Sequence, residues 1–184
     1  MKFGIENYTF IAPFSLFFSL LLFFGTIQVG YYICKINYLR VIFRNVAEDT
    51  FLAPILGSSI LIILISPFTL LGLTETIFFR IVGLILCLLS IFIIKDIFIQ
   101  FKSIKYFSLP NIFLFSYFIL CFAPITSGDS LDYHTEVAIH ILNYGSFPTD
   151  YFWFHSRQAG FGEILISLGL ANGAEQYGSL VQFT

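Results

Sequence analysis

Charged residues are scarce in this chain: Asp, Glu, Lys and Arg make up 11% of its 184 residues, against about a quarter in a typical soluble domain. Hydrophobic residues make up 58%, and the mean hydropathy is +0.89. This composition argues against a soluble domain and indicates an integral membrane protein in contact with a lipid bilayer. The formal net charge of -2 gives no basic surface, so nucleic acid is not expected as a partner.

Cysteine is also sparse, and its spacing excludes two classes of site. The three cysteines, Cys34, Cys87 and Cys121, are far apart, and each lies in or at the edge of an apolar run. They have none of the spacings of a zinc site or of a disulfide framework. We interpret them as small residues buried in the membrane.

Four apolar stretches are long enough to cross a hydrocarbon core of about 30 Å, which takes about 20 helical residues. The predicted spans are Phe10–Ile33, Phe51–Leu73, Ile77–Ile94 and Phe107–Ile125. The first is too long for the apolar region of a signal peptide and has no cleavage site after it, so we expect it to be retained. Only Thr74-Glu75-Thr76 separates the second and third spans, which predicts a tight antiparallel hairpin.

The distribution of basic residues predicts the orientation of these spans. Six of the nine Lys and Arg residues fall on two segments, 35–50 and 95–106. By the positive-inside rule these segments are cytoplasmic. The N-terminus and residues 126–160 are then extracytoplasmic, in a multi-pass protein of the cell (inner) membrane.

The segment 126–160 is the one long polar stretch, and it contains all three histidines and four of the eleven acids. Within it, residues Tyr133 to Tyr144 have helical periodicity. The apolar face carries Val137, Ala138, Ile141 and Leu142, and the polar face carries Glu136, His140 and Asn143. This pattern predicts an amphipathic helix lying in the plane of the membrane interface, with His140 on its wet face.

The residues Asp129-Ser130-Leu131-Asp132-Tyr133-His134 follow the fourth predicted span directly and lead into this helix. In that position they resemble the first-loop motif of the GT-C superfamily. These membrane glycosyltransferases take sugars from polyprenyl-phosphate carriers, as in the protein O-mannosyltransferases and the lipid A aminoarabinose transferases. Asp129 falls on the acid of the motif, whereas Ser130 stands where many members have Glu. The resemblance covers about 45 residues from Leu120 onward.

The resemblance implies that Asp129 is a catalytic base and that Asp132 supports it. It also implies a polyprenyl-phosphate-linked sugar as donor and an acceptor that the sequence does not identify. His134, His155 and Arg157 are the candidate substrate-binding residues, because imidazole and guanidinium groups suit a lipid phosphate. His155-Ser156-Arg157 stands where related families often have a Pro-Pro pair after His or Lys.

Simpler structural roles compete with each of these assignments. Asp129 or Asp132 can cap the N-terminus of the following helix. His134 can form a structural hydrogen bond, with Asp129 or Asp132 as its expected partner. The aromatic cluster 151–154 can simply anchor the loop at the membrane interface. Asp129, Asp132 and His134 together can also hold a divalent metal, and the sequence leaves that question open.

The predicted fold is an all-α, polytopic transmembrane helix bundle. Residues 1–125 form four transmembrane helices, 126–160 an extracytoplasmic loop of catalytic type containing the interfacial helix, and 161–184 the start of further membrane helices. We expect the chain to be an N-terminal piece of a longer protein, and expect it to be inactive alone. Two other functions remain open: a polysaccharide polymerase or ligase, and a non-catalytic transporter or scaffold.

Overall fold

A computed structural model of the chain describes residues 8–9, 11–35, 52–101, 109–124, 130–149 and 159–182. Every element in this part of the chain is helical except for one isolated bridge between Thr9 and Gly173. This confirms the all-α prediction for the described residues. The α-helices are α1 (Phe14–Lys35), α2 (Leu52–Leu70), α3 (Thr76–Phe101), α4 (Leu109–Leu120), α5 (Glu136–Tyr144), α6 (Gly162–Ala171) and α7 (Tyr177–Gln182), and a π-helix (Ser130–Thr135) precedes α5.

Two helices in the described ranges are long and apolar enough to cross a membrane, over Phe14–Cys34 and Ala53–Leu70. They correspond to the first and second predicted spans. The helices at the positions of the third and fourth predicted spans have different bounds from those predicted. Helix α3 continues seven residues beyond Ile94 to Phe101, so Lys95 is helical. Helix α4 has 12 residues, about 18 Å of rise, and ends in a turn before Pro124 and not at Ile125.

Helices α2 and α3 pack mainly on α1 and hardly on each other. They meet next to the turn that joins them, where the rings of Phe68 and Phe78 are 5.5 Å apart. The prediction of a tight antiparallel hairpin is therefore wrong. Three glycines explain the preference for α1, because they bring helix backbones into direct contact.

Gly30 of α1 lies against the carbonyl group of Ala53, and Gly57 of α2 lies against that of Thr26. On the other side of α1, Gly25 lies against the carbonyl group of Leu86 in α3. A Cβ atom at any of the three positions would overlap the facing backbone. Small residues are the usual means of close packing between apolar helices.

The last two helices cover one side of this layer. Helix α6 packs on α2, α3 and α5, and eight of its ten residues are buried. Helix α7 follows a short turn and packs on α1. Buried polar contacts join α1 to the start of α7 and to Gln176, the residue before it. The Ser15 hydroxyl donates to Gln176 Oε1 at 2.7 Å, and Thr26 Oγ1 lies 2.8 Å from Tyr177 Oη.

Three segments distant in sequence meet at one end of the bundle. The Thr74 hydroxyl and the Thr74 backbone N–H both donate to the carbonyl oxygen of Gly145, which ends α5 in the left-handed conformation at φ 71°. The Thr76 hydroxyl donates to the carbonyl oxygen of Leu142 at 3.0 Å. The Tyr8 hydroxyl donates to Asn143 Oδ1 at 2.6 Å. The N-terminal segment, the α2–α3 turn and α5 therefore lie together.

The surface is apolar and much of the polarity is inside. Large hydrophobic side chains are exposed along α2 and α3, at Ile63, Leu64, Phe68, Ile77, Ile81, Leu84, Ile85, Leu88, Ile91 and Phe92. Buried polar side chains include Ser15, Ser19, Thr26, Gln28, Ser58, Thr69, Ser90 and Gln176. A soluble protein of this size rarely exposes a continuous apolar surface of that extent.

Candidate functional site

The π-helix places His134 before the first turn of α5, whereas the three segments meet at the other end of α5, at Asn143 and Gly145. It comprises Ser130-Leu131-Asp132-Tyr133-His134-Thr135 and runs directly into α5. The imidazole of His134 stacks at a tilt on the ring of Tyr133, with the ring centroids 4.2 Å apart. Single turns of π-helix are rare and occur often at functional sites, because the wider turn redirects side chains.

The carboxylate of Glu163, in the first turn of α6, faces this histidine. Oε1 of Glu163 lies 2.8 Å from Nδ1 of His134, and Oε2 accepts a hydrogen bond from the backbone N–H of Gly160 at 2.8 Å. The Glu163 side chain is 5% exposed, whereas that of His134 is 34% exposed. A buried carboxylate is tolerated when its oxygens are hydrogen-bonded or paired, and here each oxygen has a partner.

Helices α5 and α6 hold the two residues in register. Val137, Ala138, Ile141 and Leu142 are buried in one cluster with Ile164 and Leu168 of α6. The Ser167 hydroxyl lies 3.2 Å from the carbonyl oxygen of Ala138, and 2.8 Å from that of Glu163. Two packed helices thus support the His134–Glu163 pair.

The amphipathic pattern of α5 is confirmed, but its setting differs from the prediction. Its apolar face packs against α6, so it is covered by protein and not by lipid. His140, expected on a wet face, is half-buried with its ring 4.6 Å from that of Tyr144. Burial lowers the pKa of His140. Because desolvation disfavours the imidazolium, this residue fits a structural role.

Asp132 lies in the π-helix, two residues before His134. Its predicted alternative role as the N-cap of a helix at Tyr133 is wrong, because helical structure already begins at Ser130 and the residue that precedes α5 is Thr135. Asp129, His155 and Arg157 lie outside the described residues. Of the five predicted site residues, the structure thus shows side-chain contacts for His134.

The hydrogen-bond partner of His134 is Glu163, whereas the sequence suggested Asp129 or Asp132. Glu163 was missed because it lies in the apolar run Gly160–Ala171, which resembles a short core helix. One signal was available: a single acid in an otherwise apolar helix needs a buried partner. Within the described ranges no cluster of three or more His, Cys, Asp or Glu side chains is placed to hold a metal ion. Of the three residues Asp129, Asp132 and His134, Asp129 lies outside those ranges.

The sequence matches the DUF1420 N-terminal domain over residues 1–113 and 94–184, which together span the whole chain. The chain belongs to the DUF1420 family. No curated protein and no solved structure matches it.

Proposed function

We propose that the protein is a membrane glycosyltransferase of GT-C type, which moves a sugar from a polyprenyl-phosphate carrier to an acceptor on the extracytoplasmic face. The observation that carries the proposal is the buried Glu163 carboxylate holding His134, two residues after Asp132, in a helical bundle with an apolar surface. A polar pair in such a bundle suits a substrate with both a lipid and a sugar part.

The distribution of polar and apolar residues supports a bilayer as the environment. Serines, threonines and glutamines lie inside, and Leu, Ile and Phe side chains of α2 and α3 lie outside. In water the exposed apolar stripes would favour aggregation, whereas in lipid they are the favoured surface. We therefore assign α1, α2 and α3 to the membrane as parts of a multi-pass bundle in the cell (inner) membrane.

Contacts at one end of the bundle support the proposed orientation. The positive-inside rule puts the N-terminus, the α2–α3 turn and the 126–160 segment on the same side. Tyr8, Thr74 and Asn143 belong to these three segments, and hydrogen bonds join the segments to one another. Impermeant cysteine labelling of position 40 in intact cells tests the assignment, with position 75 as the matched exposed control. Position 75 should react and position 40 should not.

In the proposed reaction Asp129 accepts the proton of the acceptor group, and Asp132 assists it. The bond from the anomeric carbon to the phosphate oxygen breaks as the acceptor bonds to that carbon. The polyprenyl phosphate leaves with the electron pair, and His155 and Arg157 balance its charge. His134 is a further substrate-binding residue in this proposal.

Conservative substitutions in the full-length protein test these roles. Asp129→Asn keeps the shape of the side chain and removes the base, so transfer from a panel of radiolabelled polyprenyl-phosphate sugars should be abolished. Asp132→Asn should give a partial loss, within the roughly 100- to 10,000-fold range of general acid–base catalysis. Glu75→Gln, an exposed acid in the α2–α3 turn, is the matched control and should keep full activity. Full activity in both Asp variants would remove the glycosyltransferase proposal.

A transporter is the second candidate, and one observation favours it. Ionisable groups buried in apolar helices mark transport pathways, and Glu163 is such a group. Substrate or proton flux in proteoliposomes that is lost in Glu163→Gln, without transferase activity in the unmodified protein, would favour this candidate.

A further inference from the structure

The contact between Glu163 and His134 determines which nitrogen of the imidazole carries hydrogen. An ionised carboxylate only accepts hydrogen bonds, so the 2.8 Å contact with Oε1 requires a hydrogen on Nδ1. In the neutral ring the lone pair is then on Nε2. The geometry therefore selects one of two tautomers before any substrate binds.

The second oxygen of Glu163 strengthens this selection. Oε2 accepts the backbone N–H of Gly160 at 2.8 Å, which fixes the plane and rotation of the carboxylate. Each oxygen then has one donor, and the buried side chain has little freedom to turn away. The same arrangement of a carboxylate behind a histidine orients metal-bound and catalytic imidazoles in other proteins.

We infer that Glu163 is a positioning residue that holds His134 with a lone pair on Nε2, so that His134 accepts a hydrogen bond from a sugar hydroxyl and does not contact the lipid phosphate. Phosphate oxygens are themselves acceptors at an unprotonated Nε2, so they find no partner there, whereas a hydroxyl donates to it. The identification of a sugar hydroxyl as the donor to His134 rests on the proposed function. The tautomer of His134 follows from the Glu163 contact alone.

Nitrogen NMR of the full chain in lipid nanodiscs, with ¹⁵N-histidine, measures the tautomer directly. The chain has three histidines, and His134→Gln assigns the signal of His134. At mildly alkaline pH we expect hydrogen on Nδ1 and none on Nε2, and no change when farnesyl phosphate is added. Hydrogen on Nε2 in the free protein, or its appearance with farnesyl phosphate, overturns the inference.

Glu163→Gln should invert the tautomer. The amide oxygen keeps the Gly160 N–H, so the amide nitrogen faces Nδ1 and donates to it, which moves the ring hydrogen to Nε2. Glu175→Gln, a partly buried acid after α6, is the matched control and should leave His134 unchanged. Unchanged nitrogen shifts in Glu163→Gln would contradict the positioning role. If Glu163→Gln does not fold, the tautomer of His134 in the unmodified chain decides whether the inference holds. If the chain shows the expected tautomer but the full-length protein has no transferase activity, the proposed function is refuted and the positioning role of Glu163 stands.

Discussion

Substitution of His134 and substitution of Glu163 should lower the free energy of unfolding by different amounts. The larger loss should come from His134, although it is the more exposed of the two. His134→Phe keeps a ring beside Tyr133 but takes away the donor to Oε1, and the remaining carboxylate is 5% exposed and too deep for water to replace that donor. An unsatisfied buried charged group costs about 2–3 kcal/mol. Glu163→Gln removes the charge but leaves an amide that still accepts from Gly160, and His134, 34% exposed, reaches solvent. We expect about 1 kcal/mol for that variant.

The double variant His134→Phe/Glu163→Gln measures the coupling energy between the two side chains. A hydrogen bond to a charged group contributes about 1.5–3 kcal/mol, and partial exposure of His134 reduces it, so we expect a coupling of about 1–2 kcal/mol. Glu136 and His140, one turn apart on α5, form the matched control cycle, with a coupling of about 0.5 kcal/mol or less. Reversible unfolding in mixed detergent micelles, followed by circular dichroism, supplies the free energies. Equal costs for the two single variants, or a coupling no larger than the control, would refute the argument from burial.

Three further predictions concern the packing that supports the site. Gly57→Ala puts a Cβ 2.8 Å from the carbonyl carbon of Thr26, where ordinary contact begins at 3.4 Å, so α1 and α2 must separate and the free energy of unfolding should fall by about 1–3 kcal/mol. Gly162→Ala, where a Cβ meets open space, should be neutral or stabilising in the same unfolding assay, and equal behaviour of the two would contradict the close contact. Tyr177→Phe removes the hydroxyl partner of Thr26 and should lower the free energy of unfolding by about 1 kcal/mol in that assay. An unchanged unfolding midpoint would contradict this prediction. Thr74→Val should increase amide hydrogen exchange in the α2–α3 turn, because its hydroxyl no longer bonds to α5, whereas unaltered exchange would show that the turn is held by other contacts.

The local structure was largely predictable, because it follows from residue type and spacing. The lengths of α1 and α2 followed from continuous apolar runs, and the faces of α5 followed from its 3.6-residue period. The partners of these faces were not predictable in the same way. An apolar helix face is equally suited to lipid and to another apolar helix, so the pattern of α5 alone does not indicate that α6 covers it.

Two of the errors have a common physical origin, since both depended on a contact between residues distant in sequence. Gly30 and Gly57 direct α2 onto α1, and a short connection alone suggested that α2 would pack on α3. His134 and Glu163 are 29 residues apart, and the acid looked like part of a core helix. The π-helix at Ser130 also escaped prediction, because its residues fit an ordinary helix start.

The buried hydroxyl groups of α1 that contact Gln176 and Tyr177 have a consequence for folding during synthesis. Ser15 and its acceptor Gln176 are separated by 161 residues. At about 5–20 residues per second, the ribosome needs roughly 10–30 s to make the intervening chain. Throughout that interval α1 exists without this partner, and the Ser15 hydroxyl can donate only to water or to a nearby backbone carbonyl. Helix α1 thus gains this partner only after α6 has been made, and translation products stalled before Gln176 should be cleared by quality-control proteases more readily than chains that contain it.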